Sequence, residues 1–331
     1  MFRVQRSKFI NIGIGSVFII AAILKLISID EFEIYIYSFN ILSFLITTFV
    51  SRIIIAAEFA LGLLLILNRN CKFIRRITLI LLASFTLFLI YVAIFRHDSN
   101  CHCFGELIQL NPLESIIKNL ILIVFLIIGK QSAISYQQSE SIVSVQCSES
   151  ESESESEFRV RVRVKVKLLL VLLSCGLLVF IVSPPDSIYK MIYSTEKEVS
   201  SIDLYASFDE VVKIDFKENE VVFDSIPAFN INEERQLIAI VSSGCKYCRL
   251  GLKKLSLIMK NEGISPDNVD IFIWGSPEGI IDFRSETMTE DFDYWHIMPN
   301  QAIKITYGRF PVFIWIKEKE IVKTGDFRDI Y

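Results

Sequence analysis

Histidine and cysteine are both scarce in this chain of 331 residues, with 3 and 7 copies. So few cysteines do not make a disulfide scaffold at this length, because such scaffolds belong to short secreted chains. Four of them nevertheless form two close pairs, Cys101-x-Cys103 and Cys245-x-x-Cys248. Pairs at these spacings indicate redox or metal chemistry. Zinc is the weaker alternative, because only His102 lies beside a cysteine pair.

A strong excess of charge is also missing. The 34 basic and 38 acidic residues give a formal net charge of -4, and the basic residues gather beside apolar runs instead of forming a groove-like patch. Nucleic acid is therefore not a predicted partner. Hydrophobic residues make up 52% of the chain and the mean hydropathy is +0.46, which is unusual for a soluble domain. A lipid bilayer is a predicted partner.

Five apolar runs are long enough, or nearly long enough, to cross a bilayer, which takes about 20 residues. They cover approximately 9–29, 53–67, 77–95, 116–129 and 168–182. No small-residue cleavage site follows the first run, so we expect a retained span and not a secretory signal. The fourth run is marginally short, which favours a helix that starts nearer Pro112.

Basic residues set the predicted orientation of these spans. Residues 3–8 and 69–76 are rich in lysine and arginine, so we expect both segments in the cytoplasm. Residues 30–51 contain no basic residue and are rich in aromatics, which favours an outer loop with an interfacial helix. The spans then place the loop 96–115, with Cys101 and Cys103, on the outer side.

The chain between the fourth and fifth runs is low in complexity. Its Ser-Glu repeat at 148–157 predicts a solvated, disordered linker, and the alternating basic stretch at 159–167 predicts a juxtamembrane anchor on the inner face. The predicted domains are a four-helix membrane domain (1–131), a low-complexity cytoplasmic linker (132–167), a fifth transmembrane helix (168–183), an extracytoplasmic lead-in with a strand hairpin (184–234) and a final domain (235–331).

The final domain alternates strands and helices. Apolar strand patterns cover 236–241, 269–274 and 311–317, the last paired with 321–324, and an amphipathic helix covers 249–262. A hairpin at 211–223, turning at Glu218-Asn219, precedes them, and a looser helical region follows the second strand. This order predicts an α/β sheet.

Cys245 and Cys248 stand where the first of these strands gives way to the helix. A helix start offers unpaired backbone N–H groups and the positive end of the helix dipole, and both lower the pKa of a cysteine placed there. We therefore predict that Cys245 is the attacking thiolate and Cys248 the resolving thiol. A structural disulfide or half a zinc site are the alternatives.

Lys25 and Glu58 lie inside apolar runs, where charge is costly and usually functional. Both fall near the outer ends of their helices, so the sequence leaves two alternatives open: a membrane ion pair beneath the Cys101 loop, or snorkelling to the surface. The Cys101/Cys103 pair is either an exchanging disulfide or a strained bond that pins the loop.

The final domain resembles the thioredoxin superfamily, in particular its membrane-anchored, TlpA-like bacterial members. Cys245-Lys-Tyr-Cys248 matches the redox motif, and Phe310-Pro311 matches the cis-proline of that family. The resemblance implies that Cys245 is the nucleophile, Cys248 the resolving thiol and Pro311 a substrate-orienting residue. The chain stops at Tyr331, before the last helix of the family.

Residues 8–130 resemble the MauE branch of the DoxX-like membrane proteins, four-helix units associated with periplasmic disulfide chemistry and named for methylamine utilisation. Lys25, Glu58, the loop from Cys101 to Gly105 and Asn119 carry this resemblance. It implies a multi-pass protein of the bacterial inner membrane, with the thioredoxin-like domain in the periplasm.

These observations lead to one main hypothesis, a thiol-disulfide oxidoreductase without a cofactor. Cys245/Cys248 exchanges disulfides with extracytoplasmic protein clients, and Cys101/Cys103 relays electrons. One alternative is a non-catalytic, MauE-like maturation or assembly factor for periplasmic proteins. Another is a membrane protein that binds metal through its four paired cysteines as soft ligands.

Overall fold

The computed structural model describes residues 2–67, 72–96, 101, 103–105, 108, 110–134, 155–193, 196–217, 220–224, 229, 231 and 235–330. Within the helices and strands, it describes the side chains of all but 2–8, 72, 129–134, 155–168 and 235. The chain divides into two compact units. The first comprises Met1–Tyr35 and Thr48–Pro184, and the second comprises Ile36–Thr47 and Pro185–Tyr331.

The first unit is built from helices. They are α1 (Phe2–Ile27), α2 (Ile29–Tyr37), α3 (Phe44–Ile66), α4 (Lys72–Phe95), α5 (Pro112–Ile134) and α6 (Glu155–Val182). Apolar side chains of α1, α3, α4 and α5 form its core. The helices α1 and α3 approach closely at Gly15 and Gly62, since a Cβ added to Gly15 would lie 2.6 Å from the Gly62 carbonyl oxygen. Small residues allow such contacts between membrane helices.

Three described helical segments are long and apolar enough to cross a membrane: Phe9–Ile27, Phe44–Ile66 and Phe73–Phe95. Leu169–Val182 is a fourth candidate when it is counted together with Asp186–Ile192. The membrane part is therefore confirmed as a set of apolar helices. The described residues do not establish four spans plus a fifth, and that number stays a prediction.

The helix α3 is longer than the predicted second span, because it begins at Phe44 and not near Ile53. The sequence pattern placed Arg52 outside the span as a charged residue. In the structure its guanidinium is 2% exposed and pairs with the Glu33 carboxylate of α2. Because this charge is compensated inside the unit, it does not end the helix.

Arg52 also contacts the end of α6. Its Nε donates to the Ser183 carbonyl oxygen at 2.7 Å and its Nη2 to that of Pro184 at 2.9 Å. A third donor, Nη1, reaches the Thr48 carbonyl oxygen at 2.6 Å. One buried side chain of α3 thus binds the last residues of the first unit, Ser183 and Pro184.

The helix α6 begins at Glu155, inside the segment 132–167 that we predicted as a linker. The alternating basic stretch 159–167 is thus helical, and it is continuous with the apolar run that follows it. The start of that linker, through Ile134, belongs to α5. Residues 135–154, with most of the Ser-Glu repeat, lie outside the described residues.

The second unit is an α/β structure, as predicted. Its helices are α7 (Asp186–Ile192), α8 (Ser201–Ser207), α9 (Lys246–Glu262), α10 (Pro277–Thr287) and α11 (Pro299–Thr306). Its strands are β1 (Val212–Lys217), β2 (Glu220–Phe223), β3 (Arg235–Ser242), β4 (Val269–Trp274), β5 (Asp293–His296), β6 (Val312–Lys317) and β7 (Glu320–Gly325).

The described strands form one mixed sheet in the order β2-β1-β5-β4-β3-β6-β7. The three strands β3, β4 and β5 are parallel, and the other neighbours are antiparallel. The interior strand β3 lies between β4 and β6, and Ile238, Ala239 and Ile240 on it are fully buried. A continuous apolar run of this kind is typical of a strand covered on both faces.

The strand β5 corrects the predicted looser helical region. It has only four residues, and its Trp295 donates an indole hydrogen bond to the buried Asp270 at 2.8 Å. It also joins the hairpin to the main sheet, because Val212 pairs with His296. The lead-in at 184–234 is thus not separate from the α/β unit. The predicted hairpin turn at Glu218-Asn219 lies outside the described residues.

Arg52→Ala is expected to lower the free energy of unfolding by about 3–5 kcal/mol, because it removes the cation that compensates the buried Glu33 carboxylate. Unfolding of the purified protein in mixed micelles, followed against increasing SDS, measures this loss. The double variant Arg52→Met/Glu33→Gln is the matched control and should recover much of the stability, because neither side chain is then charged. A single variant as stable as the parent would contradict the anchoring role of Arg52.

Candidate functional site

The Cys245/Cys248 pair follows the end of β3, an interior strand of the sheet. The strand β3 ends at Ser242, a short turn through Ser243 and Gly244 follows, and Cys245 is the N-cap residue of α9. Its sulfur accepts a hydrogen bond from the backbone N–H of Cys248 at 3.2 Å. The sequence predicted this placement, in which the first unpaired N–H groups of the helix face a sulfur.

Hydrogen bonds make Cys245 the more acidic thiol. The Cys248 thiol contributes most, and the backbone N–H groups of Cys248 and Tyr247 and the charge of Arg249 add to it, so the pKa of Cys245 falls to about 7 despite partial burial. Arg249 is fixed by a hydrogen bond of 2.8 Å to the Ser243 carbonyl oxygen. At neutral pH much of Cys245 is therefore thiolate, the form that attacks a disulfide.

Cys248 has the opposite environment. Its side chain is fully buried, and burial, followed by the hydrogen bond to Cys245, raises its pKa well above the ordinary value. It remains a thiol while Cys245 is exposed enough to meet a partner. Both cysteines are free thiols in the structure.

Pro311 reaches the same edge of the sheet as the dithiol. The strand β6 pairs antiparallel with β3, and Val312 faces Ile240. Pro311 therefore lies beside the end of β3 that leads to Cys245. The Phe310-Pro311 peptide bond is cis, and the Phe310 ring contacts Trp274 edge-on, with 6.3 Å between centroids. The substrate-orienting role of Pro311 stays a prediction.

The segment after β7 supports the helix that carries the dithiol. Tyr247 stacks on Phe327, with ring centroids 5.4 Å apart. Gly251 lets this turn approach, because a Cβ there would meet Phe313 at 2.9 Å and the Cβ of Phe327 at 3.0 Å. The last described residues thus pack against α9, near the dithiol.

The Cys101/Cys103 pair lies in the loop between α4 and α5. The loop is tied by the hydrogen bond from the Cys101 N–H to the Leu110 carbonyl oxygen at 3.0 Å, and by its contact with the end of α1. Gly105 has φ 66, and a Cβ there would lie 2.2 Å from the Ser28 hydroxyl oxygen. Only glycine allows this close approach.

Each loop cysteine is 2% exposed. The sulfur of Cys101 lies 2.9 Å from the Ser115 hydroxyl oxygen in the first turn of α5. The Cys103 thiol, the Ser115 hydroxyl, the Cys103 N–H and the Lys118 charge lower the pKa of Cys101 to about 6, against the effect of burial. The hydrogen bond to Cys101 and burial raise the pKa of Cys103 above the ordinary value.

Lys25 and Glu58 form an ion pair inside the first unit. The Lys25 ammonium contacts both carboxylate oxygens, at 2.7 and 2.6 Å, and the two side chains are 1% and 11% exposed. Lys25 also lies 5.6 Å from the ring centroid of Phe85, and Phe85 packs against a cluster that contains Cys101 and Cys103. The pair therefore lies next to the apolar shell of the loop cysteines.

Sequence reasoning missed Ser115 and Lys118. The Lys118 ammonium lies 4.4 Å from the Phe104 ring centroid. The signal that could have found it is the one that singled out Lys25, a charged residue inside an apolar run. Nothing in the local sequence distinguishes Ser115 from an ordinary residue of a first helical turn.

Among the described residues, no group of three or more histidine, cysteine, aspartate or glutamate side chains is arranged to hold a metal ion. His102, the histidine beside the loop cysteines, lies outside those residues.

Comparisons with known proteins agree with the membrane resemblance. Residues 5–130 match the family model of the methylamine utilisation protein MauE. The chain is also similar to Protein TlpB of Flavobacterium psychrophilum, with 29% identity over 315 residues, covering 85% of this chain and 80% of that protein. The predicted MauE resemblance is confirmed, and the match to the relative includes parts of both units. Methylamine utilisation is here a family name only.

Alkylation of Cys245 is expected to follow a pKa near 7, because the thiolate is the reactive form. The rate should rise as pH increases through 7 and then level off, and the stability that the thiolate adds to the reduced protein should be lost as pH falls through the same value. The inflection is measured from iodoacetamide rates in a reduced chain that keeps Cys245 and Cys248 and has the other five cysteines replaced by serine, with mass spectrometry locating the modified sulfur. An inflection at or above about 8.5, the value of a free thiol, would contradict the assignment.

Proposed function

We propose that this chain, in which a MauE domain precedes a thioredoxin-like unit, is a membrane-bound thiol-disulfide oxidoreductase. The observation that carries the proposal is the unequal dithiol at the start of α9. Cys245 is partly exposed and hydrogen-bonded as a thiolate acceptor, whereas Cys248 is buried beside it. This is the arrangement that thiol-disulfide exchange requires.

The exchange proceeds in two steps. The Cys245 thiolate attacks one sulfur of a client disulfide, forms a mixed disulfide and releases the other client sulfur as a thiolate. Cys248 then loses its proton, attacks the Cys245 sulfur and releases the remaining client sulfur. The client gains two electrons and two protons, and the Cys245/Cys248 dithiol becomes a disulfide. The reverse sequence oxidises a client dithiol.

The second part of the proposal is that Cys101/Cys103 exchanges with Cys245/Cys248. Contacts within the first unit support it. Gly105 of the loop contacts the end of α1 at Ser28, and α2 follows directly and supplies Glu33 to Arg52, which binds Ser183 and Pro184. The loop and the point where the chain leaves this unit are therefore at the same end of it.

The third part is the location, the bacterial inner membrane with the α/β unit and the Cys101 loop on the periplasmic side. The apolar helices of the first unit support a multi-pass membrane protein, and the basic segments 3–8 and 69–76 support the orientation. Protein clients with thiols or disulfides would then meet Cys245 outside the cytoplasm.

The relay predicts a mixed disulfide within one chain. A chain with Cys245 and only one loop cysteine should form an internal bond under mild oxidation, because the covalent connection raises the effective concentration of the two sulfurs to roughly millimolar. Mass spectrometry of the linked peptides identifies it. The matched control keeps Cys245 with Cys175 in place of a loop cysteine. A separate trapping experiment uses Cys248→Ala, in which Cys245 should stay bonded to client proteins, and Cys245→Ser should abolish that trapping. If Cys245 traps clients in this way but links to neither loop cysteine, the α/β unit works alone.

The orientation predicts which cysteines an impermeant maleimide reaches in intact, reduced cells. Chains with Cys245 as the only cysteine should react, whereas chains with only Cys71 or only Cys147 should react after permeabilisation alone. Cys71 and Cys147 lie outside the described residues. Labelling of Cys147 in intact cells would overturn the orientation.

A further inference from the structure

We infer that Cys101 is the attacking sulfur of the membrane loop, and that Ser115 and Lys118 of α5 are the positioning residues that hold its thiolate. The inference rests on the proposed exchange function, which it deepens by assigning unequal roles to the loop cysteines. The sequence of a C-x-C pair does not distinguish its two sulfurs, whereas the contacts around them do.

Ser115 is the first element of this site. It is fully buried, and its hydroxyl oxygen lies 2.9 Å from the Cys101 sulfur. The start of α5 is fixed by reciprocal hydrogen bonds between Asn111 and Glu114, at 2.9 and 3.0 Å. When Cys101 is a thiolate it can only accept, so the Ser115 hydroxyl donates to it in a charge-assisted hydrogen bond.

Lys118 is the second element. It follows Ser115 by three residues, which brings the two side chains to one face of α5. Its ammonium lies 4.4 Å from the ring centroid of Phe104, and Phe104 packs against the cluster of Leu89, Cys101 and Cys103. The aromatic face holds the positive charge beside the loop.

Of the two lysines near the loop cysteines, Lys118 is the one whose charge can stabilise a thiolate there. Lys25 of α1 and Glu58 of α3 neutralise each other in their own ion pair. In the part of the chain that the structure describes, no ion pair involves Lys118. Lys118 also feels the charges of Glu58 and Lys25, which oppose each other. A thiolate on Cys101 therefore gains the attraction of Lys118 in surroundings that screen it little.

Cys103 is less well placed to carry the thiolate. Its thiol donates to the Cys101 carbonyl oxygen at 3.8 Å, whereas the close Ser115 contact of 2.9 Å is to the Cys101 sulfur. Ser115 and Lys118 also act on Cys103, but the hydrogen bond to Cys101 and burial outweigh them. A second interaction, the hydrogen bond between the two thiols, raises the pKa of Cys103 together with burial, and it lowers the pKa of Cys101 together with Ser115 and Lys118. Cys103 is therefore suited to resolve the mixed disulfide.

The exchange at the loop involves the same transfer of two electrons and two protons as the exchange between Cys245/Cys248 and a client. The Cys101 thiolate attacks a sulfur of the Cys245/Cys248 disulfide and forms one interunit bond, and the other sulfur of that disulfide leaves as a thiolate. Cys103 then loses its proton, attacks Cys101 and displaces the remaining sulfur. The loop pair loses two electrons and two protons and becomes a disulfide, and the Cys245/Cys248 disulfide gains them and becomes a dithiol. In the reverse direction Cys101 is the sulfur attacked first.

The test measures which loop cysteine reacts and at what pH. The full chain, with the other five cysteines replaced by serine, is reduced in detergent micelles and treated with iodoacetamide over a pH series, and mass spectrometry locates the modified sulfur. Because both cysteines are only 2% exposed, the reaction will be slow. Burial lowers the rate by the same factor at every pH, so the pH at which the rate rises still measures the pKa of the reacting thiol.

Cys101 should be modified first, with an inflection near pH 6. Ser115→Ala should raise that inflection by about one pH unit, the size expected for one hydrogen bond to a charged group. Lys118→Gln should also raise it, and Lys118→Arg should restore it. Thr78→Val is the matched control, because it removes a buried hydroxyl that bonds only within its own helix, and it should leave the inflection unchanged.

Two outcomes would overturn the inference: faster modification of Cys103, or an inflection that neither Ser115→Ala nor Lys118→Gln moves. Neither outcome depends on whether the relay exists, because these chains contain no Cys245. If Cys101 passes this test but forms no bond with Cys245 in the cross-linking experiment, the assignment of the sulfur stands and the proposed relay is wrong.

Discussion

Both paired sites depend on a hydrogen bond between a cysteine sulfur and a group in the first turn of a helix. Cys245 caps α9 and accepts from the backbone N–H of Cys248, and Cys101 contacts Ser115 at the start of α5. In each pair the other cysteine is buried and donates to the first. The hydrogen bond between the two thiols lowers the pKa of the first cysteine and raises that of the other, so each pair has one acidic and one weakly acidic thiol.

The first unit can carry this polar chemistry because its buried charges are compensated. Lys25 is paired with Glu58, and Arg52 with Glu33. An isolated charge among apolar helices would cost several kcal/mol, whereas a paired and hydrogen-bonded one can be retained. Arg52 also donates to the Ser183 and Pro184 carbonyl oxygens that follow the end of α6. One residue thus compensates the charge of Glu33 and provides hydrogen bonds for these carbonyl groups.

The sequence predicted those parts of the fold that depend on local patterns. The strands at 269–274 and 236–241 agree with β4 and β3 to within a residue, since each is a continuous apolar run. The strand β5 was missed because a strand of four residues has too short a pattern, and its place in the sheet depends on β4 and β1. The start of α3 was missed because a charged residue was taken to interrupt the span.

The sequence by itself determined the two cysteine pairs, the apolar runs, and the helix start at which Cys245 would be acidic. All three depend on residues close together in the chain. Only the tertiary structure decided what the buried polar side chains meet: Lys25 and Glu58 are 33 residues apart, Arg52 and Ser183 are 131 apart, and Cys101 and Ser115 are 14 apart. No local pattern encodes these contacts, because they arise when separate helices pack and each buried charge or donor takes the nearest partner that satisfies it.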